Sequence, residues 1–144
     1  MASFDFDGMD QLEAALGRIS DIPDSVTRDA LGAMAAVAQR EIKRSGESMG
    51  VRDPDSDVHI LDKITVTKAK ITPSGGHQDI TFSGTRPRGR KRVRNAEIAF
   101  INEYGKRNQA ARPFIGRAMS EHDADIADAG GKILGGWIER EFAK

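Results

Sequence analysis

Cysteine is absent from all 144 residues, so the chain has no disulfide framework, no thiolate nucleophile and no cysteine metal site. Nothing marks it for an oxidising compartment, and the cytoplasm is the expected place of synthesis. No segment approaches the roughly 18 consecutive apolar residues that a membrane span needs. The opening MASFDFDGMD sets Asp5 and Asp7 where a secretory signal requires basic residues followed by an apolar core. Net charge is also missing, with 22 basic residues against 22 acidic ones. Catalytic motifs are absent as well. There is no GxSxG, GxGxxG or phosphate loop, and His59, His77 and His122 lie far apart without the spacing of metal ligands. The expectation is a protein that is not an enzyme and binds no cofactor and no metal.

What is present is enough apolar residue for a fold. At 38% hydrophobic and 31% charged, the composition is that of a folded chain and not of a disordered one. A chain of this length buries roughly 70% of its unfolded surface, which suits one domain over residues 1–144. The charge is unevenly spread. Arg86, Arg88, Arg90, Lys91, Arg92 and Arg94 stand in one stretch without an acid, and the remainder of the chain is net negative by six. A basic arm on an acidic body attracts copies of itself, an argument about association and not about fold.

Met9, Leu12, Leu16 and Ile19 recur at helical spacing over residues 9–20, with Pro23 closing the segment. Leu31, Met34, Ala35, Ala38 and Ile42 share one face of a longer helix, expected from Ser25 to Ser45, with Arg40, Lys43 and Arg44 near its C-terminal end. Residues 46–57 read as an exposed loop on their glycines, proline and aspartates. From Leu61 to Ile71 the β-branched alternation of Ile64 and Val66 with Thr65 and Thr67 predicts a strand. Pro73 to Gly76 form a turn, and Ile80 and Phe82 alternate with polar residues in a second, antiparallel strand.

The basic stretch at 86–94 contains Pro87 and Gly89 and no periodic apolar face, so an extended, mobile loop is expected there. Three uses compete for it: a bland solvated loop, a contact with acidic protein surfaces, and phosphate contacts with nucleic acid. No aromatic residue is interleaved, which argues against a base-stacking platform. Residues 96–101 are expected as a third strand. Pro113 then opens a C-terminal helical pattern through Phe114, Ala118 and Met119 to Ile126, Ile133, Leu134, Trp137, Ile138 and Phe142. Gly130, Gly131, Gly135 and Gly136 each cost about 1 kcal/mol in a helix interior, so this helix is expected either to break or to pack closely on a neighbour. Glu121, Asp123, Asp125 and Asp128 read as a solvated helix start, and Trp137 as a core or subunit-contact residue. The fold class is α+β, with N-terminal helices, a small, mainly antiparallel sheet and a C-terminal helix packed on it.

FINEYG at 100–105 and ARPFIGRAM at 111–119 carry a further signal. Together they resemble the E-[YF]-G … [AM]-x-RPF-[IL]-x-x-A signature of phage tail-completion and neck proteins, the gene-product-ten-like family of lambdoid long-tailed phages. The order of elements is similar too, from an opening of the type FDFDGMDQLEAAL to a C-terminal helix. Lys106 departs from the threonine that often follows the family's glycine. The resemblance implies a virion protein at the tail–neck junction. It would form a ring, hexameric as the family suggests, between the tail tube and the head connector or stopper, with genomic DNA in the lumen. Its signature residues are Glu103, Tyr104, Gly105, Arg112, Pro113 and Phe114. Physically, Gly105 suits a positive φ, Glu103 suits a partner in Arg112 or a helix N-terminus, and Phe114 suits an anchor on the sheet. The rival reading is a small nucleic-acid-binding module that uses the stretch 86–94.

Overall fold

A computed structural model of the chain describes residues 9–51 and 59–144. Its first helix, α1 (Met9–Ile19), occupies the predicted segment, although Leu12 and Leu16 are exposed while Ala15 is buried. The FDFDG opening lies outside the described residues. Helix α2 (Asp24–Ser48) follows Pro23, which serves as its N-cap. It runs beyond the expected end at Ser45. The loop expected from Gly46 onward therefore begins late: Gly46 is buried within α2 and Val51 is buried just after it. Residues 52–58 of that loop lie outside the described residues. Ala35, Ala38 and Ile42 of the predicted face are buried, with Leu31 and Met34 half-buried.

The segment Leu61–Ile71 is not one strand. Ile60–Lys63 form a 3-10 turn, β1 spans Ile64–Val66 and β2 spans Lys70–Thr72. Strand β3 (Gly75–His77) pairs with β2 across the two-residue turn Pro73–Ser74, and β4 (Ile80–Phe82) pairs with β1. Four residue steps separate Val66 from Lys70 but three separate His77 from Ile80, so the long hairpin carries a one-residue bulge. Side chains take over the bonding there: Gln78 Nε2 donates to the Thr67 carbonyl at 2.7 Å, and the Asp79 N–H donates to Thr67 Oγ1 at 3.0 Å. Gly76 sits near Thr27 and Leu31 of α2, close enough that an added Cβ would lie 3.2 Å from both side chains.

Two further expectations are overturned. The basic stretch is an ordered antiparallel hairpin, β5 (Thr85–Arg88) and β6 (Lys91–Arg94), and not a mobile loop. Its turn is Gly89–Arg90, with Gly89 at φ 64°, the positive φ that a tight two-residue turn demands of its first central residue. The expected third strand at 96–101 is helix α3 (Asn95–Tyr104). Ile98, Ala99 and Asn102 lie at helical spacing and bury one face. Gly105, at φ 78° and ψ 177°, donates its N–H to the Ile101 carbonyl at 2.8 Å and leads the chain out of the helix through a positive φ that suits glycine.

Helix α4 (Phe114–Glu121) starts after Pro113, and helix α5 (Asp123–Phe142) continues after His122. The break in the C-terminal pattern thus falls at His122. All four glycines are accommodated inside α5. Only Gly130 makes the close approach expected of such a residue, since a Cβ there would lie 2.6 Å from Met34 Sδ, whereas Gly131 and Gly135 face open space. Helices α5 and α4 both pack chiefly on α2, and α4 meets the sheet through Phe114. Phe114 is fully buried and meets the Phe82 ring edge-on, with centroids 6.0 Å apart.

The architecture is α+β, with five α-helices around small antiparallel ladders among the described residues. One core joins Ile42, Leu61, Ile64, Phe82, Ile98 and Phe114. A second contact zone joins α2 and α5, and α5 buries Ile126, Gly130 and Trp137. Phe142, placed on the apolar pattern by its spacing, is exposed.

Candidate assembly surface

The signature residues converge on the joint between α3 and α4. The Glu103 carboxylate accepts hydrogen bonds from the backbone N–H groups of Ile115 and Gly116, both at 2.8 Å. A helix N-terminus presents unpaired N–H groups and partial positive charge, so of its two candidate partners Glu103 takes the helix end. Arg112 serves elsewhere. Its guanidinium donates to the Gly50 carbonyl at 2.8 Å and its N–H donates to the Asn102 carbonyl at 2.6 Å. Asn102 is itself buried and donates Nδ2 to the Ile98 carbonyl. An added Cβ on Gly105 would lie 2.9 Å from the Gln109 carbonyl oxygen and the Ala111 nitrogen. Backbone crowding therefore joins positive φ in requiring glycine at that position.

Five of the six signature residues thus shape one chain crossing: Glu103, Gly105, Arg112, Pro113 and Phe114. Tyr104 does not. It is 69% exposed and stacks at a tilt against Phe100, itself 62% exposed, with centroids 4.8 Å apart. Glu97 is exposed as well, and the spacing 97, 100, 104 sets all three on one helix face. Sequence reasoning missed this stripe because it assigned residues 96–101 to a strand. The i, i+3, i+7 spacing was the available signal.

The six cations are distributed over the β5–β6 hairpin by its register. Directly opposite residues share a face, so Arg92 and Arg94 accompany Thr85 and Pro87, while Arg88 and Lys91 share the other face with Arg86 and Val93. Arg90 lies in the turn. Arg92 forks onto Thr85 Oγ1 at 3.1 and 2.9 Å, and Val93 packs the base of the hairpin onto the core. Among the described residues, no ion pair engages Arg88, Arg90, Lys91 or Arg94. Arg88 stands directly opposite Lys91, an arrangement of like charges that destabilises a ladder.

A second polar cluster lies at the α4–α5 elbow. Buried Glu41 receives Arg40 at 3.1 Å, Arg44 at 3.2 Å and His122 Nε2 at 3.2 Å, while His122 Nδ1 faces Asp125 at 3.2 Å. These contacts pin the elbow to α2 beside a cleft of about 160 Å³. The charges there are mutually satisfied, and Arg117 is paired with Glu121 at 2.9 Å. Asp123 and Asp125 fall in the first turn of α5, where acid complements the helix dipole. Among the described residues, no three His, Asp or Glu side chains come together as metal ligands, and no helix is long and apolar enough to cross a membrane. No protein-family model, curated protein or solved structure matches the chain.

Proposed function

We propose that this chain is a non-enzymatic structural protein of a bacteriophage virion, one that completes the head-proximal end of the tail and joins it to the capsid connector. Copies assemble into a ring, with six subunits as the family resemblance suggests, and genomic DNA passes through the lumen. The partners are further copies of itself, the tail tube and the connector or stopper proteins. Synthesis is in the host cytoplasm and the working location is the virion.

The observation that carries this reading is the basic hairpin. Among the described residues its cations lack acidic partners at four positions, and it retains the unfavourable Arg88–Lys91 opposition. A fold selected only for its own stability gains nothing from that arrangement, so the hairpin is suited to an external partner. The FINEYG and ARPFIGRAM resemblance supplies the class of assembly. A closed ring joins one patch to a different patch on the next copy, which fits a basic arm on an otherwise acidic chain.

A second reading rests on the hairpin's form. A two-stranded ribbon is one of the elements that the DNA major groove admits, and the cations would supply phosphate contacts in a small nucleic-acid-binding module. Native mass spectrometry and electron microscopy of the purified protein, with and without tail tubes, separate the two. Rings capping tube ends support the junction role. A monomer that ignores tubes and binds duplex DNA with a steep salt dependence overturns it in favour of the module.

A further inference from the structure

We infer that the β5–β6 hairpin of one copy docks on the exposed Glu97–Phe100–Tyr104 face of α3 in the next copy, an inference that rests on the ring reading and names its contact.

The receiving face has the chemistry of an arginine acceptor. Phe100 and Tyr104 present two exposed rings in contact with each other, and the planar guanidinium group stacks on such faces while attracted by their quadrupoles. Glu97, one turn before Phe100, adds a carboxylate that has no ion-pair partner among the described residues. Glu103, the other acid of α3, is occupied by the N-terminus of α4. The stripe therefore offers one negative charge followed by two π faces.

The donor is equally defined. Arg88, Arg90 and Lys91 cluster at the hairpin's tip, exposed and without a carboxylate partner among the described residues. The hairpin runs directly into α3, since Arg94 is the helix N-cap, so its tip stands about four residues, or roughly 13 Å, from the helix start. Donor and acceptor thus sit on one continuous unit, at different ends of it. Such a unit satisfies itself only by passing the arm of one copy to the face of another, a heterologous contact that propagates around a ring. Charge complementarity favours a second copy as occupant: the arm carries the chain's concentrated positive charge, and the rest of each copy is net negative.

The cysteine-free chain permits a direct test. Arg90→Cys at the turn and Ala96→Cys beside the aromatic stripe leave Glu97, Phe100, Tyr104, Arg88 and Lys91 in place. Oxidation of the full-length double variant is expected to give a ladder of disulfide-linked multimers. A control pair, Arg90→Cys with Gly17→Cys on exposed α1, measures background. Adding Phe100→Ser and Tyr104→Ser to the first pair should reduce the linked fraction roughly tenfold without altering the circular dichroism spectrum. A ladder no stronger than the control overturns the contact, as does retention of the ladder after the aromatic substitutions. Loss of the ladder to duplex DNA held by the hairpin also overturns it. The ring reading is scored separately. Rings on tail tubes without a specific ladder sink this contact alone, whereas a specific ladder from a protein that caps no tube keeps the contact and sinks the tail assignment.

Discussion

Glu103 caps a helix that begins eleven residues after it, accepting the Gly116 N–H at 2.8 Å with one oxygen and the Ile115 N–H at 2.8 Å with the other. This bidentate arrangement ties α3 to α4 across the intervening turn. Each oxygen satisfies a donor that the helix itself cannot.

Glu103→Ala is therefore expected to destabilise the protein by about 1 to 2 kcal/mol, the range for loss of a helix cap. Glu103→Gln keeps an acceptor oxygen but loses the charge, and should cost less. Urea unfolding of the two variants checks the order. Equal midpoints for Glu103→Ala and the parent protein would show that the cap contributes nothing.

Gly46 and Gly135 both lie within helices, yet alanine should act on them in opposite directions. A Cβ at Gly46 would collide with the Leu61 side chain and lie 3.2 Å from Phe114, two side chains in the fully packed core. Overpacking of this kind costs about 1 to 3 kcal/mol. At Gly135 nothing lies within 4 Å of the added carbon, so helix propensity alone applies and Gly135→Ala should stabilise by up to about 1 kcal/mol. Thermal unfolding midpoints of the two variants are expected to fall on either side of the parent value.

Phe114→Ala removes the fully buried ring that meets Phe82, and should cost about 3 to 5 kcal/mol. Phe114→Leu, which retains much of the volume, should unfold between the two. Trp137 offers the readout: it is the sole tryptophan and is buried on α5, so its emission should shift to the red as the domain unfolds.

Lys91→Glu replaces a like-charged pair across the hairpin with an opposite-charged one, since Arg88 is its direct partner. It should raise stability by about 0.2 to 1 kcal/mol, more at low salt than at high. The same change should weaken self-association, read by sedimentation velocity over a concentration series. A variant more stable and also better at assembling would contradict the assignment of this arm to a partner surface.

The helices with strong 3.6-residue patterns, α1, α2 and α5, were legible in the chain because an apolar stripe or a glycine-tolerant packing face dominates them. The hairpin at 85–94 was not. Its alternation is of cations and turn-forming residues with half-buried Val93 as its apolar anchor, so no apolar period distinguishes strand from loop. Helix α3 was obscured for the opposite reason: Ile98, Ala99, Phe100 and Ile101 are apolar all round, and a short apolar run fits a strand as readily as a helix. Gly105 was correctly assigned a positive φ, but the element it terminates is a helix.

By itself the sequence determined the class of the fold, the six-cation stretch, the need for glycine at position 105 and the absence of thiol chemistry, because each depends on residue identity or local periodicity. Only the tertiary structure decided that Glu103 serves a helix N-terminus and not Arg112, that α5 lies on α2 while Phe114 at the start of α4 reaches Phe82, and that Tyr104 faces outward with Phe100. These outcomes depend on contacts between residues distant in the chain. Burial of Phe114, Leu61 and Ile98 in one core selects them, and no local pattern encodes which of several possible partners that core brings within reach.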